Sequence, residues 1–218
     1  MVRPKNSERQ DVRALILQKA KELFFKEGYH KITIRKIAKE IGYSPATIYL
    51  YFKNKDELLF ELHNEGFKLL YKRKMALPMD ESTDPVERLR LGARMYIDFA
   101  LDNPEYYEVM FNMPEPRDFL EQKRSSAQDG ELVDYAMLSY DFLRQGVDRL
   151  QAAGYLTEVD RDTLTFSLWS TVHGLVSLII RKRIPYPQAP SRELAYRAIE
   201  FLMSSMAQSK DARPKAGE

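Results

Sequence analysis

Apolar residues recur at helical spacing along nearly the whole chain, and glycines, prolines and capping residues cut that pattern into segments. Val12, Leu15, Ile16, Ala20, Leu23 and Phe24 mark one face of a first helix over about Arg9 to Lys26, stopped at Gly28. Thr33 can cap a second helix whose Ile34, Ile37, Ala38 and Ile41 fall at i, i+3, i+4 and i+7, and Gly42 supplies the left-handed residue that ends it. Ser44 followed by Pro45 starts a third helix, about Pro45 to Phe52, because serine satisfies a free amide and proline is preorganised at the first helical position. Within it Ile48 and Phe52 are committed to packing, which leaves Ala46, Thr47, Tyr49, Leu50 and Tyr51 without a core role. Asn54 with Glu57 forms a capping box that opens a long connecting helix, carrying Leu58, Leu59, Leu62, Phe67 and Leu70 to about Ala76.

Beyond a linker, Leu77 to Asp84, a helix over Pro85 to Asp102 carries Leu89, Leu91, Ala93, Tyr96, Ile97 and Ala100, and Asn103-Pro104 breaks it. A short aromatic and methionine-rich helix follows in PEYYEVMFNMPEP, ended by Pro114 and Pro116, and then a polar stretch, Glu121 to Asp129. Another helix spans about Leu132 to Ala153, closed by Gly154. From a start near Asp160, the next helix has no polar face of any width. Phe166, Trp169, His173, Val176 and Ile180 form a bulky stripe, Leu168, Val172, Leu175 and Ile179 an aliphatic one, and Ser167, Ser170, Gly174 and Ser177 a small-residue one. A Pro-rich loop, Pro185 to Pro190, leads into a final helix capped by Ser191 with Leu194, Ala195, Ala198, Ile199, Leu202 and Met206 inward. The pattern predicts an all-α protein.

The stretch Thr33 to Lys55 reads as a helix-turn-helix: a short helix with small, hydroxyl-bearing and aromatic groups on its outer face fits a major groove, and flanking lysines can hold phosphates. A helical hairpin with a solvated face gives the same periodicity. The residues carry more than the periodicity, because T-x-x-x-I-A-x-x-x-G-x-S-x-x-T-x-Y-x-Y-F-x-x-K-x-x-L is similar to the motif of the TetR family of transcriptional regulators, over about residues 9 to 62. The resemblance implies a helix-turn-helix DNA-binding domain at 9–55, a connecting helix at 56–76 and a helical ligand-binding and dimerisation domain at 85–208, while the polar composition of 1–8 and 209–218 suggests a mobile arm and a disordered tail. By family register Thr47, Tyr49 and Tyr51 are the first choices for DNA contact. Arg35, Lys36, Lys53 and Lys55 are phosphate candidates, with Arg35 also able to reach a base, and Pro45 and Ala46 can meet thymine methyls. Thr33, Ser44 and Leu50 complete the expected contact set. Pro45 and Tyr51 stand where the family varies most, so no operator sequence carries over.

Charge agrees with that placement. Residues 1–60 hold 13 Lys or Arg against 7 Asp or Glu, a net +6, so the remainder carries −4 of the overall +2. A basic excess supports contact with nucleic acid as a sequence-independent term. The absence of cysteine excludes a disulfide framework, thiolate metal ligation and a cysteine nucleophile, and suits a reducing compartment. No leader is evident at the N-terminus, and the longest uninterrupted apolar run is far shorter than a membrane span. The expectation is a cytoplasmic protein with no membrane association. His30, His63 and His173 lack metal-ligand spacing, and neither a metal nor another cofactor is expected. A Gly-rich phosphate loop, a Gly-x-Ser-x-Gly elbow and a carboxylate pair in an apolar setting are also missing, so an enzyme is not expected.

Two long hydrophobic helices at the C-terminal end are more than one monomer core needs. They are expected to pair with their copies across a two-fold axis through Ser170, Gly174, Ser177, Ala198, Ile199 and Leu202, the arrangement the TetR family uses. Trp169, His173 and Gly174, with Asp102-Asn103-Pro104 and Tyr106-Tyr107, resemble the C-terminal region of the TetR subgroup named for its Trp-His-Gly signature. Tyr96, Phe99, Met110, Phe111, Tyr140, Trp169 and His173 are the effector-pocket candidates. Taken alone, the Met and aromatic residues read as ordinary core before they read as a pocket, and His173 reads first as a hydrogen-bonded core residue and second as a ligand-contacting or pH-sensing one.

The function implied is that of a homodimeric repressor which binds a palindromic double-stranded operator. A partly apolar or aromatic small molecule would release it by tilting the fourth helix. A helical scaffold or adaptor that no longer uses its helix-turn-helix is the alternative.

Overall fold

Thr33 and Ser44 cap the helices assigned to them, whereas Ser191 is itself the first residue of the last helix and not its cap. In the computed structural model, which describes residues 6–113, 133–185 and 191–210, the Thr33 hydroxyl accepts from the Lys36 N–H and the Ser44 hydroxyl from the Thr47 N–H. Asp84, Asp134 and Asp160 cap three later helices in the same way. These contacts satisfy amides that a helix leaves free in its first turn. The helices in order are α1 (Asn6–Glu27), α2 (Ile34–Glu40), α3 (Pro45–Tyr49), α4 (Lys55–Met75), α5 (Pro85–Asp102), α6 (Pro104–Phe111), α7 (Tyr135–Ala152), α8 (Arg161–Ile180) and α9 (Ser191–Ala207), with a 3-10 turn at Tyr29–Lys31. Among the described residues no strand forms, and one isolated bridge pairs Tyr155 with Lys210. Most of the N-terminal arm, Pro114 and Pro116, the polar stretch Glu121 to Asp129, most of the Pro-rich loop and the tail beyond Lys210 lie outside the described residues.

The third helix is shorter than its sequence pattern suggests. After Tyr49 the chain tightens, with Tyr51 N–H and Phe52 N–H both donating to the Ile48 carbonyl at 2.9 and 3.0 Å. The helical turn thus reaches Phe52 through one i→i−3 and one i→i−4 bond, beyond the regular helix that ends at Tyr49. Gly42, with φ of 73°, occupies the left-handed region expected of it.

Two compact units form: Met1–Gly66 with Glu105–Val133, and Phe67–Pro104 with Asp134–Glu218. The first has a core of Ile16, Ala20, Phe24, Ile32, Ile37, Ile48, Phe52, Leu58 and Leu62, to which α6 contributes Val109. Gly66 on α4 explains how α6 fits: a Cβ there would stand 2.7 Å from the Met110 sulfur and 3.2 Å from Tyr106 Cδ1. Lys21, Glu65 and Tyr106 join across α1, α4 and α6, with the Lys21 ammonium donating to both partners at 3.0 Å and the Tyr106 hydroxyl donating to Glu65. The α6 segment, which the sequence assigns with the larger C-terminal domain, therefore packs within the unit that holds the helix-turn-helix.

In the second unit α5 is central, touching α7, α8 and α9. Tyr96, Ile97, Phe99 and Ala100 of α5 are buried together with Val147, Leu150, Val172, Val176, Ala195, Ile199 and Met203. Polar groups fasten the rim: Arg192 of α9 donates to Asp98 and, at 2.7 Å, to Asp102, and Arg73 of α4 donates to Asp102 at 3.3 Å. These contacts, Arg192 first and then Arg73, hold the Asp102 carboxyl below the usual range.

Candidate nucleic-acid interface

Recognition by a short helix requires its inner side to be anchored and its outer side free. In α3 Ile48 is wholly buried, and Phe52 just beyond is nearly so, both within the first unit's core. Ser44, Pro45, Ala46, Tyr49 and Leu50 are exposed, Leu50 at 81%, with no packing role in this unit. Leu50 stands next to exposed Tyr49, so two neighbouring apolar side chains face solvent here. Thr47 is half-buried, and its hydroxyl lies 3.0 Å from that of Ser44, so the two hydroxyls at the helix start are mutually oriented. Around this face Thr33, Arg35 and Lys53 are exposed.

The remaining expected contacts have local partners. Lys36 forms an ion pair with Glu27, whose carboxyl it holds below its ordinary range. The Lys55 ammonium donates to the Tyr29 carbonyl at 3.0 Å and stands 3.9 Å from the centre of that ring. Tyr51 is half-buried against the first unit's core, so its ring is partly used for packing. The Asn54 side chain accepts from the Glu57 N–H at 2.8 Å, while the Glu57 carboxylate accepts from Lys53 N–H and not from Asn54 N–H. The capping box is present but shifted by one residue, and it fixes the backbone of the basic turn.

The effector candidates divide between the units. Met110 and Phe111 belong to the first, where the Phe111 ring meets that of Tyr107 at a tilt of 52°, with centres 5.0 Å apart. In the second, the His173 ring nitrogen Nδ1 lies 3.3 Å from the Tyr96 hydroxyl, and Trp169 touches both His173 and Tyr140, with ring centres 5.7 and 6.2 Å apart. Burial, helped by the charge of Arg181, lowers the His173 pKa and so favours the neutral imidazole. Phe99 is fully buried and adds to the core.

Among the expected dimer residues Ser170 is exposed and Gly174, Ser177, Ala198 and Leu202 are half-buried. Ile199 requires a correction: at 2% exposure it lies in the second unit's own core, because the inward stripe of α9 is Ala195, Ile199, Met203 and Met206. The open apolar groups are Phe166 and Leu178 of α8 and Phe201 of α9, the last at 71%. Among the described residues one helix, Arg161–Ile180, is long and apolar enough to cross a membrane by length and composition alone, a test that the core helix of a soluble protein also passes. Among the described residues no group of three metal-ligating side chains forms.

Sequence reasoning missed two residues of the second unit. Lys74, near the C-terminal end of α4, is 9% exposed and donates to the Ser139 carbonyl of α7 at 2.6 Å, and the buried Ser139 hydroxyl has no hydrogen-bond partner. Lys74 follows Lys72 and Arg73, and nothing in such a basic run shows which member turns inward.

Comparison with known proteins agrees with the helix-turn-helix geometry. Residues 16–62 match the family described as bacterial regulatory proteins, tetR family, and residues 89–202, over half of the chain, match the tetracyclin repressor-like C-terminal domain. The chain is 38% identical over 76 residues to the fatty acid metabolism regulator protein of Bacillus subtilis (strain 168), a match covering 35% of this chain and 39% of that protein. It is 25% identical over 159 residues to the HTH-type transcriptional regulator HbdR of Aromatoleum sp. (strain CIB), covering 73% and 66%. These matches thus span less than two thirds of either relative. The fold resembles that of the fatty acid degradation regulator FadR from Bacillus halodurans, with a TM-score of 0.64 at 18% identity, over 93% of this chain and 96% of that one. With both of its domains matched, the chain belongs to the TetR family of bacterial regulatory proteins.

Proposed function

We propose that the protein is a homodimeric transcriptional repressor, and not an enzyme, that acts in the cytoplasm and is released from a palindromic operator by a small-molecule effector. The observation that carries the DNA-binding part is the capped helix α3, held from inside by Ile48 and presenting Pro45, Ala46, Tyr49 and Leu50 to solvent beside Arg35 and Lys53. Thr47 and Tyr49 are assigned to base edges, with Tyr51 contributing the part of its ring that the core leaves open. Pro45, Ala46 and Leu50 are assigned to thymine methyls, and Thr33, Arg35, Lys36, Ser44, Lys53 and Lys55 to phosphates or, for Arg35, a base. Two such helices on a dimer read half-sites about 34 Å apart, one turn of duplex.

The effector reading rests on the contacts among Tyr96, Tyr140, Trp169 and His173 in the second unit, which suit a partly apolar or aromatic molecule. Trp169, His173 and Gly174 also support placement in the Trp-His-Gly subgroup. Two similar proteins are named for fatty acid metabolism or degradation, but a match over 76 residues cannot include a whole effector domain and a likeness in fold does not specify a ligand. Dimerisation is assigned to the outer sides of α8 and α9, where Phe166, Leu178 and Phe201 are open beside Ser170, Gly174 and Ser177.

Selection of bound duplexes from a random pool tests the reading. The expected result is one palindromic site whose affinity falls steeply with salt, with Lys53→Ala reducing the log–log salt slope by about one and Thr47→Ala or Tyr49→Ala changing base preference. Recovery of no specific site favours the scaffold alternative.

A further inference from the structure

A buried ammonium and a buried hydroxyl meet at one residue of the second unit without an anion between them. Lys74 Nζ reaches the Ser139 carbonyl at 2.6 Å and stands 5.6 Å from the centre of the Phe142 ring. An ammonium has three protons to donate. Among the described residues none of the ion pairs includes Lys74, and burial alone lowers its pKa to about 8. Removing an unpaired charge from water is costly, and one carbonyl and one ring face do not offset that cost.

The Ser139 hydroxyl is buried, so it lacks the solvent open to the exposed Ser170 of α8. A helical serine or threonine either turns back on the carbonyl four residues earlier or points to solvent. Thr165, Ser167, Thr171 and Ser205 do the first at 2.8 to 2.9 Å. Ser139 does neither: its residue is 4% exposed and the hydroxyl has no partner. The carbonyl that receives Lys74 belongs to this same residue, so the buried cation and the unpartnered hydroxyl converge on Ser139.

We propose that Lys74 and Ser139 receive a single carboxylate carried by the effector, one oxygen accepting from the ammonium and the other from the hydroxyl. This rests on the effector reading above and specifies its chemistry. One positive charge calls for one negative charge: a monoanion leaves a neutral pair in a buried setting, whereas a phosphate dianion leaves excess charge there. The rest of the ligand meets an aromatic environment that includes Phe142.

The test uses the full-length protein, with benzoate as probe and benzyl alcohol as its neutral counterpart. The Lys74 side-chain NMR resonance, assigned by its loss in Lys74→Met, is followed against pH. The expected result is that benzoate raises the Lys74 titration midpoint and benzyl alcohol does not, and that benzoate affinity falls about tenfold in Lys74→Met and severalfold in Ser139→Ala. A midpoint unmoved by benzoate, or equal benzoate binding by wild type and Lys74→Met, overturns the inference, and the wild-type titration decides even if a variant folds poorly. Operator binding measured on the same samples separates the two readings. Loss of specific operator binding by the wild-type protein removes the repressor reading alone, while release of the operator by benzoate in Lys74→Met removes this inference alone.

Discussion

Lys55 and Tyr29 lie 26 positions apart, yet the Lys55 ammonium both donates to the Tyr29 carbonyl and covers the Tyr29 ring at 3.9 Å. The neighbouring Asp56 carboxylate accepts from the Tyr29 hydroxyl. The first turn of α4 is thereby joined to the 3-10 turn ahead of α2. The pair predicts that Lys55→Met lowers the unfolding free energy by about 2 to 4 kcal/mol, the sum of one charge-assisted hydrogen bond and a cation–π contact. Chemical denaturation measures this. Operator salt dependence is expected to change less in this variant than in Lys53→Ala, because Lys55 is already engaged.

The two helix caps have different readouts. Ser44→Ala is expected to cost about 1 kcal/mol of stability, since the Thr47 N–H loses its acceptor. Ser44→Asp retains a cap and so retains stability, but sets a negative charge at the proposed phosphate contact and weakens operator binding. Thermal melts and gel shifts on both variants separate capping from DNA contact.

At Gly66 two effects compete. Alanine gains about 1 kcal/mol of helix propensity, but its Cβ must displace the Met110 sulfur from 2.7 Å. Methionine is flexible, so Gly66→Ala is expected to be close to neutral. Gly66→Val gains less propensity and adds two methyl groups at the same place, and is expected to destabilise by about 1 to 3 kcal/mol in urea unfolding.

Lys74 gives a pH dependence of definite sign. The folded protein releases this proton near pH 8, while an ordinary lysine holds it to 10.5. Between those values the unfolded state binds more protons, so stability rises with pH through that window, and below it the full cost of burial is present. Lys74→Met removes the cost and is expected to stabilise the ligand-free protein at pH 7 by on the order of 3 kcal/mol, at about 1.4 kcal/mol per tenfold change in proton affinity. Its stability is expected to lack the rise between pH 8 and 10.5. Urea unfolding of both proteins at pH 7 and pH 10 checks this.

Position on α9 separates folding from assembly. Phe201→Glu, at an open site, is expected to leave the helical signal intact and give a monomer in sedimentation. Ile199→Ala, inside the second unit's core, is expected to cost about 2 to 5 kcal/mol in unfolding and to leave the dimer contacts themselves in place.

By itself the sequence determined nearly every described helix, because periodicity and end signals are local: Thr33, Ser44, Asp84 and Asp160 cap where their residue types and neighbours indicate, and Gly42 turns where a positive φ is needed. It also determined the face of α3 that stays outside, since Ile48 and Phe52 are that segment's evident packing groups. Tertiary structure decided what covers each face. Periodicity shows that Ile199 shares a stripe with Ala195 and Met206 but not that the stripe meets its own domain, and it cannot show that α6 packs into the helix-turn-helix unit through Val109 and Gly66. Lysines show the limit most clearly. Lys53, Lys55 and Lys74 are alike as letters in basic stretches, and only their surroundings, solvent for the first, the distant Tyr29 for the second and the distant Ser139 for the third, make one an exposed charge, one a structural bond and one a buried cation.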